Sequence, residues 1–390
     1  MSAETYELTR EVSRIQQELL SRASQETDFS PLVEIERRRA AAKSASLPES
    51  RATLLDTKKQ PIFLGPESTG LEAEVKLGMS QVPTSLVNLL DPAENPLVII
   101  SVQYVGPPGG GGNLIKRVRI SSYVEGYSAV AVSTVELRRG ANAVSVSQLP
   151  TFFPAKLDTV QELTRASLNV TVEHLDDSKL ELQTTANIWL LPRTAAVLEM
   201  KDPSTGKWKD LYRYLTAYVT PNAPEVMSFL TDAKKHAPGG SFVGYQPPKA
   251  GVTDQVKAIY DALKSRGTSY VNSLTAFANP EALTSQRVRL PSESLKDTNA
   301  NCIDGVVLFA SLLEAISLNP ALMLVSGHAF LGWRSWPDGD WKYLETTLIG
   351  SGSFDEACAK GEEIARQFGS LAQSFPLDEA RTKYHITPIT

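Results

Sequence analysis

The sequence predicts an α+β protein with more than one domain, and three observations carry this prediction. The chain has 390 residues, which exceeds the usual size of a single domain. From about residue 75 to residue 200, apolar and polar residues alternate in short runs, as they do in β-strands. After about residue 202, apolar residues recur at helical spacing, and these helices are followed by further strand-like runs. This order predicts a β domain followed by a mixed domain.

The first 70 residues are predicted to form a helical arm and a linker. Between about residues 4 and 44, Leu8, Val12, Ile15 and Leu19 recur at steps that place them on one helix face. Two interpretations stay open, because such an arm either docks onto a partner protein or subunit or folds back on its own chain. From residue 44 to about residue 70, Ser, Pro, Lys and Gly are frequent, which is typical of a linker.

Residues 75–200 are predicted to form an all-β domain. Val98, Ile100 and Val102 give one of several alternating runs that are separated by turn residues. Short strands at this spacing are typical of a sandwich, and an immunoglobulin-like topology is the expected one. The glycine run at 109–112 lacks the Lys-Ser/Thr ending of a phosphate-binding loop, so it is interpreted as a hairpin loop. We expect this domain to recognise or scaffold a partner.

The composition argues against several functional classes. A formal net charge of −5 disfavours nucleic acid or an anionic membrane as the main partner. No apolar run approaches the roughly 20 residues that cross a bilayer, and the N-terminus lacks the apolar core of a signal peptide. With only Cys302 and Cys358, a disulfide framework is not expected. These features predict a cytoplasmic protein in which a free thiolate persists.

Residues 202–390 are predicted to form a mixed domain centred on Cys302. The sequence Asn-Ala-Asn precedes this cysteine, and an asparagine there is a good cap for the apolar helix that follows. A cysteine in the first turn lies at the positive end of the helix dipole, which favours the thiolate form, although Asp304 opposes this effect modestly. A cysteine in the middle of an apolar helix would by default be an inert core residue. The position of Cys302 at the helix start favours a nucleophile instead.

A histidine and an acid follow Cys302 on two predicted strands. Gly327 and Gly332 lie on either side of His328 in the sequence. Because glycine has no side chain, a substrate backbone could approach the strand here. The turn Pro-Asp-Gly-Asp at 337–340 makes residues 341–346 antiparallel to the histidine strand. Glu345 is then expected to hold the ring nitrogen that does not face Cys302. A core histidine and an exposed carboxylate are the simpler interpretations, but the three residues together favour a nucleophile, a base and an orienting acid.

Acyl transfer also requires an oxyanion hole, made here by the Cys302 backbone N–H and one side-chain donor. Gln286, in the extended run Ser-Gln-Arg-Val-Arg-Leu-Pro, is the first candidate for this donor, and Asn299 is the second. Cys358 is predicted to be a structural thiol in the middle of a later helix. No metal ion and no organic cofactor is implied.

The order of these motifs resembles that of the transglutaminase-like cysteine peptidases of the papain-like superfamily. The motifs are a cysteine at a helix start, Gly-His-Ala-Phe, and Trp-Lys-Tyr-Leu-Glu-Thr-Thr, and the resemblance covers about residues 205–350. It implies a cysteine helix packed on an antiparallel sheet, with Cys302 as nucleophile, His328 as base and Glu345 as orienting acid. The sequence departs from the family pattern at Ala300, where many members have Gly, and at Glu345, where Asp is common.

The expected function is therefore that of a cysteine hydrolase, specifically a peptidase that forms a thioester intermediate. The same triad would serve a transglutaminase or a deamidase, and a catalytically inert binding or assembly protein is the third interpretation. The expected substrate is a protein or peptide, with a protein partner bound through the N-terminal helices or the β domain. Whether residues 1–200 hold the site inactive until a signal arrives is an open hypothesis.

Overall fold

A computed structural model describes residues 70–107, 112–175, 180–202, 205–247, 251–271 and 283–389, together with Glu34 and the backbone of 63–64. The predicted arm and linker otherwise lie outside the described residues, as do three of the four glycines at 109–112. The α+β class predicted from the sequence is confirmed, since helices and several separate sheets are present. Among the described residues, every helix is too short or too polar to cross a bilayer.

The chain divides into two compact units. We call residues 51–212 and 276–286 the β unit, and residues 1–50, 213–275 and 287–390 the mixed unit. The sequence pattern suggested a division near residue 202. In the structure the division falls after Tyr212, and the short segment 276–286 is grouped with the β unit.

Within the described residues, the β unit contains eleven strands before residue 213, one short α-helix and a 3-10 helix at Val87–Leu89. In chain order the strands and the α-helix are β1 (Phe63–Leu64), β2 (Leu71–Leu77), β3 (Gln81–Val82), β4 (Val98–Tyr104), β5 (Ile115–Val124), β6 (Ala131–Arg138), β7 (Val144–Gln148), α1 (Pro154–Leu157), β8 (Thr164–His174), β9 (Leu180–Leu190), β10 (Ala195–Lys201) and β11 (Trp208–Asp210).

Two antiparallel arrangements dominate the β unit. One sheet has the antiparallel order β1-β9-β8-β5-β6, with the short β3 paired in parallel to β9, and a second sheet has the order β2-β4-β7. The alternation seen in the sequence produces their core, because successive residues of a strand point to opposite faces. On β4, Val98, Ile100 and Val102 are all fully buried while the residues between them are partly exposed.

The mixed unit holds most of the helices. Its elements, with the one strand of the intervening β-unit segment, are α2 (Pro224–Ala233), α3 (Gly251–Ser265), β12 (Ser269–Tyr270), β13 (Leu283–Arg287), α4 (Pro291–Asp297), β14 (Asn299–Ala300), α5 (Cys302–Ala315), β15 (Pro320–Val325), β16 (His328–Arg334), β17 (Trp341–Leu344), α6 (Phe354–Phe368), β18 (Gln373–Pro376) and α7 (Leu377–Thr382). The strand β13 joins β10 and β11 in a three-stranded sheet.

A four-stranded antiparallel sheet with the order β17-β16-β15-β18 forms the centre of the mixed unit. Helix α5 packs on β15 and β16, and α6 packs on β17. Residues 303–313 of α5 are all buried, which matches the apolar character of this helix on every side. The helix that begins at Cys302 is therefore held directly against the strand that begins at His328.

A close approach between α6 and β17 fixes the backbone at the end of the strand. A Cβ atom on Gly361 would lie 2.6 Å from the backbone nitrogen of Leu344, so only glycine fits here. The backbone N–H of Glu345 also donates to the carbonyl of Ala357, at 2.9 Å. These contacts determine where the Glu345 side chain starts.

Candidate active site

Cys302 is the first residue of α5, and its position is set by a capping box. The Asn301 side chain accepts a hydrogen bond from the Asp304 backbone N–H at 2.8 Å, and the Asp304 carboxylate accepts one from the Asn301 N–H at 3.2 Å. This reciprocal pair fixes the first turn of the helix. Cys302 is free of any disulfide and is partly exposed.

The structure brings His328 and Glu345 together with this cysteine. Nε2 of His328 lies 2.5 Å from Oε2 of Glu345, and the same ring is hydrogen-bonded to the Cys302 side chain. Because the carboxylate engages Nε2, Nδ1 is the ring nitrogen left for the sulfur. The three residues predicted as nucleophile, base and orienting acid thus form a continuous hydrogen-bonded chain.

The second oxygen of Glu345 is also fully engaged. Oε1 accepts hydrogen bonds from the backbone N–H of Thr347 at 2.9 Å and from its hydroxyl at 2.7 Å. With only 3% of Glu345 exposed, these bonds replace the water that a carboxylate normally binds. They also fix the plane of the carboxylate, which in turn fixes the His328 ring.

The His328–Glu345 pair is charged at neutral pH in spite of its burial. Burial acts to lower the pKa of His328, but the Glu345 carboxylate and the hydrogen bonds to Cys302 and Glu345 raise it above its ordinary value. Burial acts to raise the pKa of Glu345, but the His328 charge and the bonds from Thr347 hold it below its ordinary value. The ring therefore carries a positive charge beside the Cys302 side chain.

These two shifts predict how the stability of the protein depends on pH. Glu345 has a lowered pKa, so its contribution is complete above its ordinary value of 4.5 and is lost as the pH falls through the folded-state value. His328 has a raised pKa, so its contribution is complete below its ordinary value of 6.5 and is lost as the pH rises through the folded-state value.

The wild-type protein should therefore melt at a higher temperature than the Glu345→Gln variant. This difference in melting temperature should be largest between pH 4.5 and 6.5. The margin should shrink on both sides of this window. Thermal unfolding of both proteins across the pH range measures it, and a margin that stays constant would contradict the charged pair.

A second buried charge pair supports the start of α5. Both carboxylate oxygens of Asp304 bind Arg289, since Oδ1 accepts from its backbone N–H at 2.8 Å and Oδ2 from Nη1 at 3.0 Å. The Asp304 side chain is completely buried. Burial raises the pKa of Asp304, and the bonds from Arg289 and Asn301 oppose this rise. Asp304 therefore joins the residues before the helix to the turn that carries Cys302.

The other predicted residues have the following places in the fold. Gln286 lies in β13 and is grouped with the β unit. Asn299 lies in β14, where its side-chain amide donates to the carbonyl of Asp297 at 3.2 Å. Cys358 lies in the middle of α6, and burial raises the pKa of its thiol to about 12. A thiol of this kind stays protonated at neutral pH.

Sequence reasoning missed Thr347, Tyr270 and the structural role of Asp304. The spacing of Asn301 and Asp304 is that of a capping box, so this role was present as a local signal. Thr347 also had a local signal, because a hydroxyl two residues after an acid readily bonds to it. Tyr270 had none, since it reaches the site through pairing of β12 with β14.

The sequence of this chain matches no protein-family model and no curated protein. The likeness to transglutaminase-like peptidases accordingly remains a resemblance of motifs. The function is best argued from the chemistry of the site itself.

Proposed function

We propose that the protein is a cysteine hydrolase that cleaves peptide amide bonds. The observation that carries the proposal is the hydrogen-bonded chain from the Cys302 side chain through the His328 ring to the buried Glu345 carboxylate. A thiol, an imidazole and a carboxylate in this order are the groups that nucleophilic acyl transfer requires. The exposed part of Cys302 supplies the access that a peptide substrate needs.

The reaction proceeds in two halves. The Cys302 thiolate attacks the amide carbonyl carbon, and the resulting tetrahedral intermediate collapses as the C–N bond breaks. The His328 imidazolium gives its proton to the leaving amine, which leaves a neutral ring and a thioester on Cys302. The neutral ring then takes a proton from water, hydroxide attacks the thioester carbon, and the acid product leaves as the thiolate and imidazolium are restored. Glu345 stabilises the imidazolium and holds the ring in place throughout.

We extend this proposal to the finer fold. A papain-like or transglutaminase-like arrangement of the mixed unit is supported by a cysteine helix packed on an antiparallel sheet. An immunoglobulin-like arrangement of the β unit is supported by its antiparallel sheets. In this proposal the protein acts in the cytoplasm, and the β unit or the N-terminal segment of residues 1–70 selects the protein substrate.

The test uses Cys302 as the single thiol of a Cys358→Ser variant, which is incubated with a mixture of peptides. Mass spectrometry should find new peptide ends, and prior alkylation with iodoacetamide should abolish them. In the wild-type protein, iodoacetamide should modify Cys302 at least about tenfold faster than Cys358, because burial keeps the Cys358 thiol protonated.

The products distinguish the alternatives that share this triad. Isopeptide bonds formed with an added primary amine would identify a transglutaminase, and conversion of glutamine to glutamate would identify a deamidase. If no product forms and iodoacetamide modifies both cysteines at the same rate, the hydrolase proposal is wrong and an inert assembly protein is favoured.

A further inference from the structure

A short parallel ladder places Tyr270 beside the strand that leads into the nucleophile. In this ladder Ser269 pairs with Asn299 and Tyr270 pairs with Ala300, and the Val271 N–H donates to the Ala300 carbonyl at 3.0 Å. Residues that pair in a ladder direct their side chains to the same face. Tyr270 therefore shares a face with Ala300, which lies two residues before Cys302, while Asn299 faces the opposite side.

Tyr270 lies next to residues that adjoin the triad in the chain. It is partly buried and lines a small pocket at the start of α5. The lining also includes Asn301, which precedes Cys302, and Thr346, which follows Glu345. Burial raises the pKa of Tyr270, and the charges of Cys302, Glu345 and Asp304 add to this rise. The phenol therefore keeps its proton and can donate it in a hydrogen bond.

We propose that the Tyr270 hydroxyl is the side-chain donor of the oxyanion hole and acts together with the Cys302 backbone N–H. This inference rests on the proposed function, and it assigns to Tyr270 the role that the sequence suggested for Gln286 or Asn299. As the sulfur bonds to the carbonyl carbon, the electron pair of the C=O double bond moves to oxygen, and both donors bind that oxygen. The pair returns to the C=O bond when the leaving group departs.

The test compares two reactions of Cys302 in the Cys358→Ser background. p-Nitrophenyl acetate acylates the sulfur through a tetrahedral oxyanion and releases p-nitrophenolate as the C–O bond breaks. Iodoacetamide alkylates the sulfur at a saturated carbon, releases iodide and forms no oxyanion. Tyr270→Phe should reduce the acylation rate about 10²-fold and leave the alkylation rate unchanged within about twofold.

The matched control is Tyr343→Phe. Tyr343 lies on β17 of the same unit, is also partly buried, and packs against Phe330 with ring centroids 5.8 Å apart. Both reactions should keep their wild-type rates in this variant. Thermal unfolding of each variant shows whether a change in rate comes from a loss of fold.

Each remaining outcome decides against one of the two proposals. If Tyr270→Phe acylates at the wild-type rate, Tyr270 is not the donor. If both reactions slow together, Tyr270 acts on the thiol or on the fold, and the inference is also wrong. If the protein with intact Tyr270 reacts with neither reagent at Cys302, the proposed function itself fails.

Discussion

Replacement of Glu345 by glutamine is expected to slow the acylation of Cys302 by about 10³- to 10⁴-fold. The change is nearly isosteric, so the amide oxygen still accepts the hydrogen bonds from Thr347 that bind Oε1. The amide N–H₂ group then points at Nε2 of His328 in place of a carboxylate oxygen. Because an amide N–H₂ only donates, it forces Nε2 to become the acceptor.

This reversal places the ring proton on the wrong nitrogen. With Nε2 as acceptor, the neutral ring carries its proton on Nδ1, which is the atom that faces the sulfur. Such a ring has no lone pair on the side of the sulfur, so it cannot take a proton there from the thiol or from water. The imidazolium form also loses the carboxylate that raises its pKa, so fewer molecules hold the charged pair at neutral pH.

The rate is measured with p-nitrophenyl acetate in the Cys358→Ser background, and Cys302→Ala supplies the uncatalysed baseline. Glu356→Gln is the matched control, because Glu356 is an exposed carboxylate that accepts hydrogen bonds from Ser353 in the cap of α6. Its acylation rate should stay within about threefold of the wild-type rate. A Glu345→Gln variant that matched this control would show that the carboxylate does not orient the base.

The parts of this site that the sequence predicted share one property, which is that each is specified by local signals. The α5 helix begins directly after its capping residue, Asn301. Apolar residues at helical spacing follow within the first turn. The turn at 337–340 joins β16 to β17 with few residues between them, so the antiparallel pairing that brings Glu345 near His328 is nearly obligatory.

The parts that were not predicted depend on contacts between distant segments. The ladder of β12 and β14 has two residues in each strand, which is too short to produce a pattern of alternation. The edge strand β18 pairs with β15, although the two strands are separated in the sequence by β16, β17 and α6. The Arg289–Asp304 pair belongs to this group, because nothing local to Arg289 indicates that it is largely buried.

Replacement of Asp304 by alanine is expected to reduce the free energy of unfolding of the mixed unit by about 3–5 kcal/mol. The carboxylate accepts hydrogen bonds from the Arg289 backbone, the Arg289 guanidinium and the Asn301 backbone. Alanine removes these hydrogen bonds. One of the lost bonds is the ion pair of the Arg289 guanidinium, whose side chain is only 12% exposed.

Hydrogen exchange at the amides of α5, followed with increasing urea, reports this loss within the helix itself. Asp261→Ala is the matched control, because Asp261 is a half-exposed helical aspartate that pairs with Lys257 at 2.6 Å on α3. Its loss should cost less than about 1 kcal/mol.

A double substitution separates the charge pair from the helix cap. If the unpaired Arg289 charge causes most of the loss, Asp304→Leu combined with Arg289→Met should be more stable than Asp304→Leu alone. If the double variant is no more stable, the lost backbone hydrogen bonds of the cap dominate. In both cases the first turn of α5 loosens, so alkylation of Cys302 by iodoacetamide should also lose its selectivity over Cys358.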